Sequence, residues 1–70
     1  MRQDHIIAAL RSYGPMTTTQ ILDRLGLKDT HPMHTTCNSQ LNKMGKRGEV
    51  EKVGTVGAGK HTAYIWAVVE

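Results

Sequence analysis

One helix is predicted for residues 30–47, which have the sequence THPMHTTCNSQLNKMGKR. At about 100° per residue, four apolar side chains of this segment form a narrow stripe that can be buried. They are Met33, Cys37, Leu41 and Met44. The start of the helix stays open between Thr30 and Thr35, because Pro32 can belong to the first helical turn or to the preceding loop.

The opposite face of this helix carries hydrogen-bonding side chains and one cation, but no carboxylate. Its members are His31, Thr35, Asn38, Ser39, Asn42 and Lys46. A solvated helix face commonly mixes Glu with Lys to gain pairs at i,i+4, so an acid-free face needs another explanation. Asn can bond adenine edges, Ser and Thr can bond bases or phosphates, and Lys neutralises phosphate. The pattern favours contact with nucleic acid over a merely solvated surface.

The charge of the chain is concentrated beside this helix. The 70 residues have a formal net charge of +3, and five of the nine Lys and Arg residues lie within residues 30–62. Only two carboxylates, Glu49 and Glu51, lie in the same range. The positive field of the second half is compatible with a nucleic-acid partner.

Length and composition restrict the classes of protein to consider. We expect one domain spanning residues 1–70, near the lower limit for a single apolar core. The single cysteine excludes an intramolecular disulfide, and no apolar run is long enough for a signal peptide or a membrane span. A cytoplasmic protein without a membrane partner is therefore expected.

A first helix is predicted for residues 3–13, where Ile6, Leu10 and Tyr13 fall on one side. Gly14 and Pro15 would stop it. A second helix is predicted for residues 18–25, with Thr17 as the N-cap and Gln20 as the capping-box partner. Gly26 would end it in the left-handed conformation of a Schellman motif. The residues buried by this second helix would be Ile21, Leu22 and Leu25.

After Gly48 the apolar period changes from helical to alternating, which indicates a β-hairpin. Its strands are predicted at EVEKV, residues 49–53, and at residues 62–68. Tyr64, Trp66 and Val68 share one face and are expected to pack in the core. Between the strands, GTVGAGK (residues 54–60) predicts a flexible tip, and it lacks the G-x-x-x-x-G-K-[ST] pattern of a phosphate-binding loop.

Four side chains in this half could ligate a metal: His31, His34, Cys37 and His61. The spacing H-x-x-H-x-x-C spreads the first three over about 120° of a helix, and Cys37 points with the apolar stripe. We therefore expect a core thiol with surface histidines, and neither a metal nor a cofactor. No catalytic role is expected for Cys37, because the sequence implies no third group beside it.

At this point the residues resemble the winged helix-turn-helix family of small bacterial and phage transcription regulators. LNKMGKRGEVEKVG (41–54) resembles the end of the recognition helix and the first wing strand, and GPMTTTQILDRLGL (14–27) resembles the second helix with its lead-in. TAYIWAV (62–68) resembles the second wing strand. The resemblance implies an α+β fold of three helices followed by a two-stranded antiparallel β-hairpin wing. It also implies that residues 30–47 enter the major groove and that residues 49–67 touch the backbone or minor groove.

The polar face of the predicted helix and the cations of the second half form two sets of candidate DNA contacts. The candidates for base edges are Thr35, Asn38, Ser39 and Asn42. The candidates for phosphates are Lys43, Lys46, Arg47, Lys52, Lys60 and His61. The wing contains no Arg, so insertion of an Arg into the minor groove is not expected.

The predicted function is sequence-specific binding of double-stranded DNA by a non-enzymatic transcription regulator. Two alternatives stay open: a winged helix that binds a protein partner through the same face, and an architectural or recombination factor of a phage. No helix follows the predicted hairpin, so the chain would act as a monomer, as a weak dimer, or as a dimer assembled on DNA.

Overall fold

Three helices precede a two-stranded antiparallel sheet in the computed structural model, which describes residues 3–57 and 62–69. The helices are α1 (Gln3–Tyr13), α2 (Thr18–Arg24) and α3 (His31–Lys46), and the strands are β1 (Val50–Val56) and β2 (Ala63–Val68). This order confirms the predicted winged helix-turn-helix fold.

All five elements contribute to one apolar core. The apolar stripe of α3 is confirmed, since Cys37, Leu41 and Met44 are fully buried and Met33 packs against the core at its edge. The other buried side chains are Ile6, Ala9 and Leu10 of α1, Met16 before α2, Ile21 and Leu22 of α2, Val50 of β1 and Trp66 of β2. Leu25 and Val68 are partly buried against this cluster.

The boundaries of α2 follow the predicted local signals. The Thr17 N–H donates to Gln20 Oε1 over 3.0 Å, and the Gln20 N–H donates to Thr17 Oγ1 over 3.3 Å, which completes the capping box. At the other end Gly26 has φ +73°, and the Leu27 N–H donates to the Leu22 carbonyl over 2.9 Å. This 6→1 bond is the Schellman ending that the sequence predicts.

The start of α3 lies at His31, so the later alternative near Thr35 is excluded. Thr30 is the N-cap, and its Oγ1 accepts from the Met33 N–H over 3.4 Å. Pro32 lies in the first turn, where its missing N–H leaves no intrahelical bond unmade. The helix ends at Lys46 with Arg47 as its C-cap. Gly48 follows with φ +79°, and the Glu49 N–H donates to the Met44 carbonyl over 2.9 Å.

Both tyrosines depart from the predicted packing. Tyr13 is 58% exposed at the end of α1, where its ring lies under the Arg24 guanidinium at 4.7 Å. Tyr64 is 48% exposed, because it lies two residues closer to the wing tip than Trp66, beyond the end of the core. Its ring is covered by the Lys52 ammonium instead of by apolar side chains. The prediction that Tyr64 packs in the core is therefore wrong, whereas Trp66, at 4% exposure, is confirmed.

The first strand is longer than predicted and contains a bulge. It includes Gly54–Val56, which the sequence assigned to the flexible tip. Lys52 pairs with Trp66 and Gly54 pairs with Ile65, so Val53 has no partner and is half-exposed. Of the rest of the predicted tip, Gly57 follows the strand with φ +104°, and residues 58–60 lie outside the described residues.

One β-bridge was not predicted. The Met16 N–H donates to the Trp66 carbonyl over 3.0 Å, and the Trp66 N–H donates to the Met16 carbonyl over 2.8 Å. Met16, which immediately precedes the N-cap of α2, thus pairs with β2 and extends the sheet by one bridge. This pair joins the wing directly to the helical part of the fold.

Two glycine substitutions should have opposite effects on stability. At Gly45, within α3, an added Cβ would lie 3.6 Å from Trp66 Cζ3, an ordinary contact, so Gly45→Ala should stabilise by up to about 1 kcal/mol through helix propensity. At Gly26, the positive φ disfavours any Cβ, so Gly26→Ala should destabilise by about 1–2 kcal/mol. Urea denaturation measures the change in the free energy of unfolding for each variant. Changes of the same sign in both variants would contradict the conformations assigned to the two glycines.

Candidate nucleic-acid interface

The outward face of α3 is largely open to solvent. Thr35, Ser39, Asn42, Lys43 and Lys46 are all exposed. The face has this composition because the opposite side of the same helix supplies the buried stripe, and the 3.6-residue period separates the two sets. The structure thus brings together these predicted candidates for base and phosphate contacts on a single surface.

Asn38 differs from the other predicted base contacts because it is half-buried and already bonded. The Thr18 hydroxyl donates to Asn38 Oδ1 over 2.6 Å. Thr18 itself is only 4% exposed, at the first position of α2. The bond ties the middle of α3 to the start of α2 and fixes the direction of the Asn38 amide.

The wing presents Lys52 to the same surface. Lys52 and Trp66 are partners across the sheet, and Tyr64 lies on the same face of β2. Lys52 Nζ is 4.1 Å from the centroid of the Tyr64 ring and 5.3 Å from that of Trp66. Such distances are typical of cation–π contacts, which hold the ammonium above the rings.

Between α3 and the sheet lies a cleft of about 270 Å³, which we call the helix–wing cleft. Its polar lining includes Thr18, His34, Asn38, Asn42, Lys52 and Tyr64. A second, more open depression lies beside it, lined in part by Asn42, Lys46, Glu51 and Lys52. Because Asn42 and Lys52 border both, the two form one continuous surface along α3 and β1.

The other predicted phosphate contacts are Arg47, Lys60 and His61. Arg47 is exposed at the C-cap of α3, where its Nη1 donates to Gln3 Oε1 over 3.1 Å, so it also joins the end of α3 to the start of α1. Lys60 and His61 lie outside the described residues. Their roles in phosphate binding stay predictions.

A carboxylate in the turn before α3 makes contacts that the sequence analysis missed. Asp29 Oδ2 accepts from Thr19 Oγ1 over 2.9 Å, and Asp29 Oδ1 lies 3.0 Å from His34 Nδ1. The Thr19 hydrogen bond, and after it the His34 hydrogen bond, lower the pKa of Asp29 below its ordinary value of 3.8. The turn from α2 into α3 is therefore held by one ionised side chain. In the sequence, an Asp and a His five positions apart only weakly indicate such a contact, because the pairing depends on the path of the turn between them.

Cys37 is a core thiol, as predicted. It is fully buried, and desolvation, with a smaller contribution from the charge of Asp29, raises its pKa to about 11. A thiol with this pKa stays protonated at neutral pH and is a poor nucleophile. Within residues 3–57 and 62–69, no group of three or more His, Cys, Asp or Glu side chains could hold a metal ion.

Neither a protein-family model nor a curated protein matches the sequence. The fold is similar to that of a solved structure, the PcaV transcriptional regulator from Streptomyces coelicolor in complex with its natural ligand. The TM-score is 0.69 at 17% sequence identity, and the match covers 100% of this chain and 46% of that one. At this identity the likeness is one of fold, a winged helix. No helix in the described part of the chain is long and apolar enough to cross a membrane.

The Asp29 contacts predict a pH-dependent contribution to stability. Because its pKa is lower in the folded protein, Asp29 favours folding above about pH 4, and this effect is lost as the pH falls through the folded pKa. Asp29→Asn should therefore lower the urea midpoint at pH 7, with a difference from wild type that shrinks towards pH 2–3. Asp23→Asn, an exposed carboxylate of α2, is the matched control. If the difference in urea midpoint between Asp29→Asn and wild type does not change with pH, the charge of Asp29 is not the cause of the lower stability.

Proposed function

We propose that this chain is a sequence-specific, double-stranded DNA-binding transcription regulator built from one winged-helix domain over residues 1–70. The observation that carries the proposal is the exposed, carboxylate-free face of α3 beside the cation of Lys52. The likeness of the fold to a transcriptional regulator supports it at the level of architecture. Residues 30–47 would enter the major groove, and residues 49–67 would touch the backbone.

Within this arrangement the exposed side chains divide by chemistry. Thr35, Ser39 and Asn42 carry donors and acceptors that can match base edges, and they lie on the outermost surface of α3. The cations neutralise phosphates without reading sequence. They are Lys43, Lys46, Arg47, Lys52 and Lys60, with His61 as a further phosphate contact.

Regulation would be steric and non-catalytic. A bound domain that fills the major groove excludes other proteins from the same base pairs or recruits them to a neighbouring site. The domain would act as a monomer, as a weak dimer, or as a dimer assembled on DNA. Each phosphate neutralised releases counterions, so the affinity should fall steeply with salt.

Two substitutions on α3 should separate sequence reading from charge neutralisation. We expect Asn42→Ala to reduce discrimination between a preferred and a scrambled duplex by about 1–3 kcal/mol, because a base contact is lost. Lys46→Ala should weaken both duplexes equally and reduce the salt slope of log K by about 1. The duplex is first selected from a random library, and fluorescence anisotropy at several salt concentrations then gives the affinities.

Ser12→Ala and Arg11→Ala are the matched controls, since both residues are exposed on α1, away from the α3 face. They should leave affinity and salt slope close to wild type. If the Asn42 and Lys46 variants had small and equal effects on the affinities for both duplexes, α3 would not be the recognition helix. Failure to select any duplex would instead favour a protein partner for the same surface.

A further inference from the structure

We infer that the helix–wing cleft binds one backbone phosphate of the DNA, with the Asn38 amide N–H₂ and the Lys52 ammonium as its ligands. The inference rests on the proposed function, because it names the part of the DNA that this cleft takes. The sequence alone makes Asn38 a candidate for reading bases. The surroundings of its side chain favour a different partner.

The Thr18 bond decides what Asn38 can offer. Bidentate recognition of adenine requires the amide oxygen and the amide nitrogen of Asn to face the base edge together. Asn38 Oδ1 instead faces the buried Thr18 hydroxyl at 2.6 Å, on the α2 side. The N–H₂ group, on the other branch of the planar amide, is the part left for the cleft. It can only donate, and a phosphate oxygen can only accept.

Lys52 supplies a cation whose position is already restricted. Its Nζ lies 4.1 Å from the Tyr64 centroid and 5.3 Å from the Trp66 centroid, so two rings hold it at the cleft. A lysine held in this way loses less rotamer freedom when it binds an anion than a freely moving one. Tyr64 is half-exposed and adds little to the core, which leaves the placing of Lys52 as its main contribution. Tyr64 is therefore a positioning residue.

The lining of the cleft matches an anion in charge. No carboxylate lies among the described residues that border it; besides the six polar side chains named above they are Thr62, Ala63 and Trp66. The neighbouring depression, in contrast, combines the carboxylate of Glu51 with the cations of Lys46 and Lys52.

Single-phosphate replacement tests the assignment on the full chain. Each phosphate of the preferred duplex is replaced in turn by a neutral methylphosphonate, and the affinity is measured by anisotropy. At one position the replacement should weaken wild-type binding by about tenfold, the size of one charge-assisted hydrogen bond. In Asn38→Ala and in Lys52→Ala, replacement at that same position should cost clearly less than in wild type, because one of the two ligands of the phosphate is already missing. The shared site would be refuted if the two variants reduced the effect of methylphosphonate replacement at two different positions, or at no position.

A second readout separates phosphate binding from base reading. Asn38→Ala should weaken the preferred and the scrambled duplex by the same factor, so that their ratio stays at the wild-type value. A lower ratio of the two affinities in Asn38→Ala would show that Asn38 recognises a base, and would refute the proposal. Asn42→Ala, measured in parallel, supplies the example of a variant that lowers the ratio.

Thr18→Val controls for damage to the fold. Asn38→Ala deprives the buried Thr18 hydroxyl of its acceptor, so weaker DNA binding could follow from lost stability alone. Thr18→Val loses the same hydrogen bond but keeps the Asn38 N–H₂. It should retain the methylphosphonate effect at the shared phosphate. If Thr18→Val reduces that effect as much as Asn38→Ala does, the assignment of the N–H₂ group as a ligand is overturned, because the loss then follows from the broken Thr18 bond.

The role of Tyr64 has a test in the free protein. Tyr64→Leu removes the ring beneath Lys52, so the Lys52 ε-methylene resonances should lose their ring-current shift in NMR spectra. The same variant should weaken preferred and scrambled duplexes equally, whereas Tyr64→Phe should resemble wild type in both measurements. Unchanged Lys52 resonances in Tyr64→Leu would overturn the positioning role.

The outcomes also distinguish this site from the wider function. Duplex binding without sequence preference, combined with coupling of both variants to one phosphate, would refute the regulator and keep the site. A clear sequence preference that Asn38→Ala erodes would keep the regulator and refute the site. Absence of duplex binding at low salt would refute both.

Discussion

The burial of Trp66 is the constraint on which the rest of the structure depends. Its backbone bonds Met16 in both directions, at 2.8 and 3.0 Å, and its side chain is only 4% exposed. The ring also approaches Gly45, so the same residue reaches the last turns of α3. An isolated two-stranded hairpin is at best marginally stable in water. The wing keeps its place because Trp66 connects it both to the chain before α2 and to α3.

This anchoring determines the form of the candidate interface. Since Trp66 fixes β2 against α3, it also sets the separation between Lys52 on β1 and the amides on α3. Side chains held at a fixed separation bind a rigid partner such as a DNA backbone with less loss of conformational entropy. The bulge at Val53 lies directly after Lys52 and changes the alternation of the strand beyond it. Lys52 therefore stays on the Trp66 face, while β1 continues towards the tip in a shifted register.

What the sequence predicted depended on local signals. The capping box of Thr17 and Gln20, the glycine at the end of α2 and the stripe of α3 involve residues close together in the chain, and all are confirmed. The exposure of Tyr64 depends on where the core ends, which alternation along one strand does not reveal. The bond between Thr18 and Asn38 joins residues 20 positions apart, so no local sequence pattern predicts it. The exposed face of α3 was predictable, whereas the direction of one amide within it was not.

The relation between α2 and α3 shows how a small domain orients a helix with few apolar residues. A 70-residue chain has little core to distribute, and the stripe of α3 supplies three of the eleven buried apolar side chains in its described part. Near the turn, three polar contacts act instead: Thr18 bonds Asn38, and Asp29 bonds both Thr19 and His34. Hydrogen bonds have a narrow range of favourable geometries, so they restrict the angle between the helices more sharply than an apolar contact of the same size. The residues that orient α3 therefore lie at the border of the surface proposed to bind DNA, and stability and recognition should be coupled there.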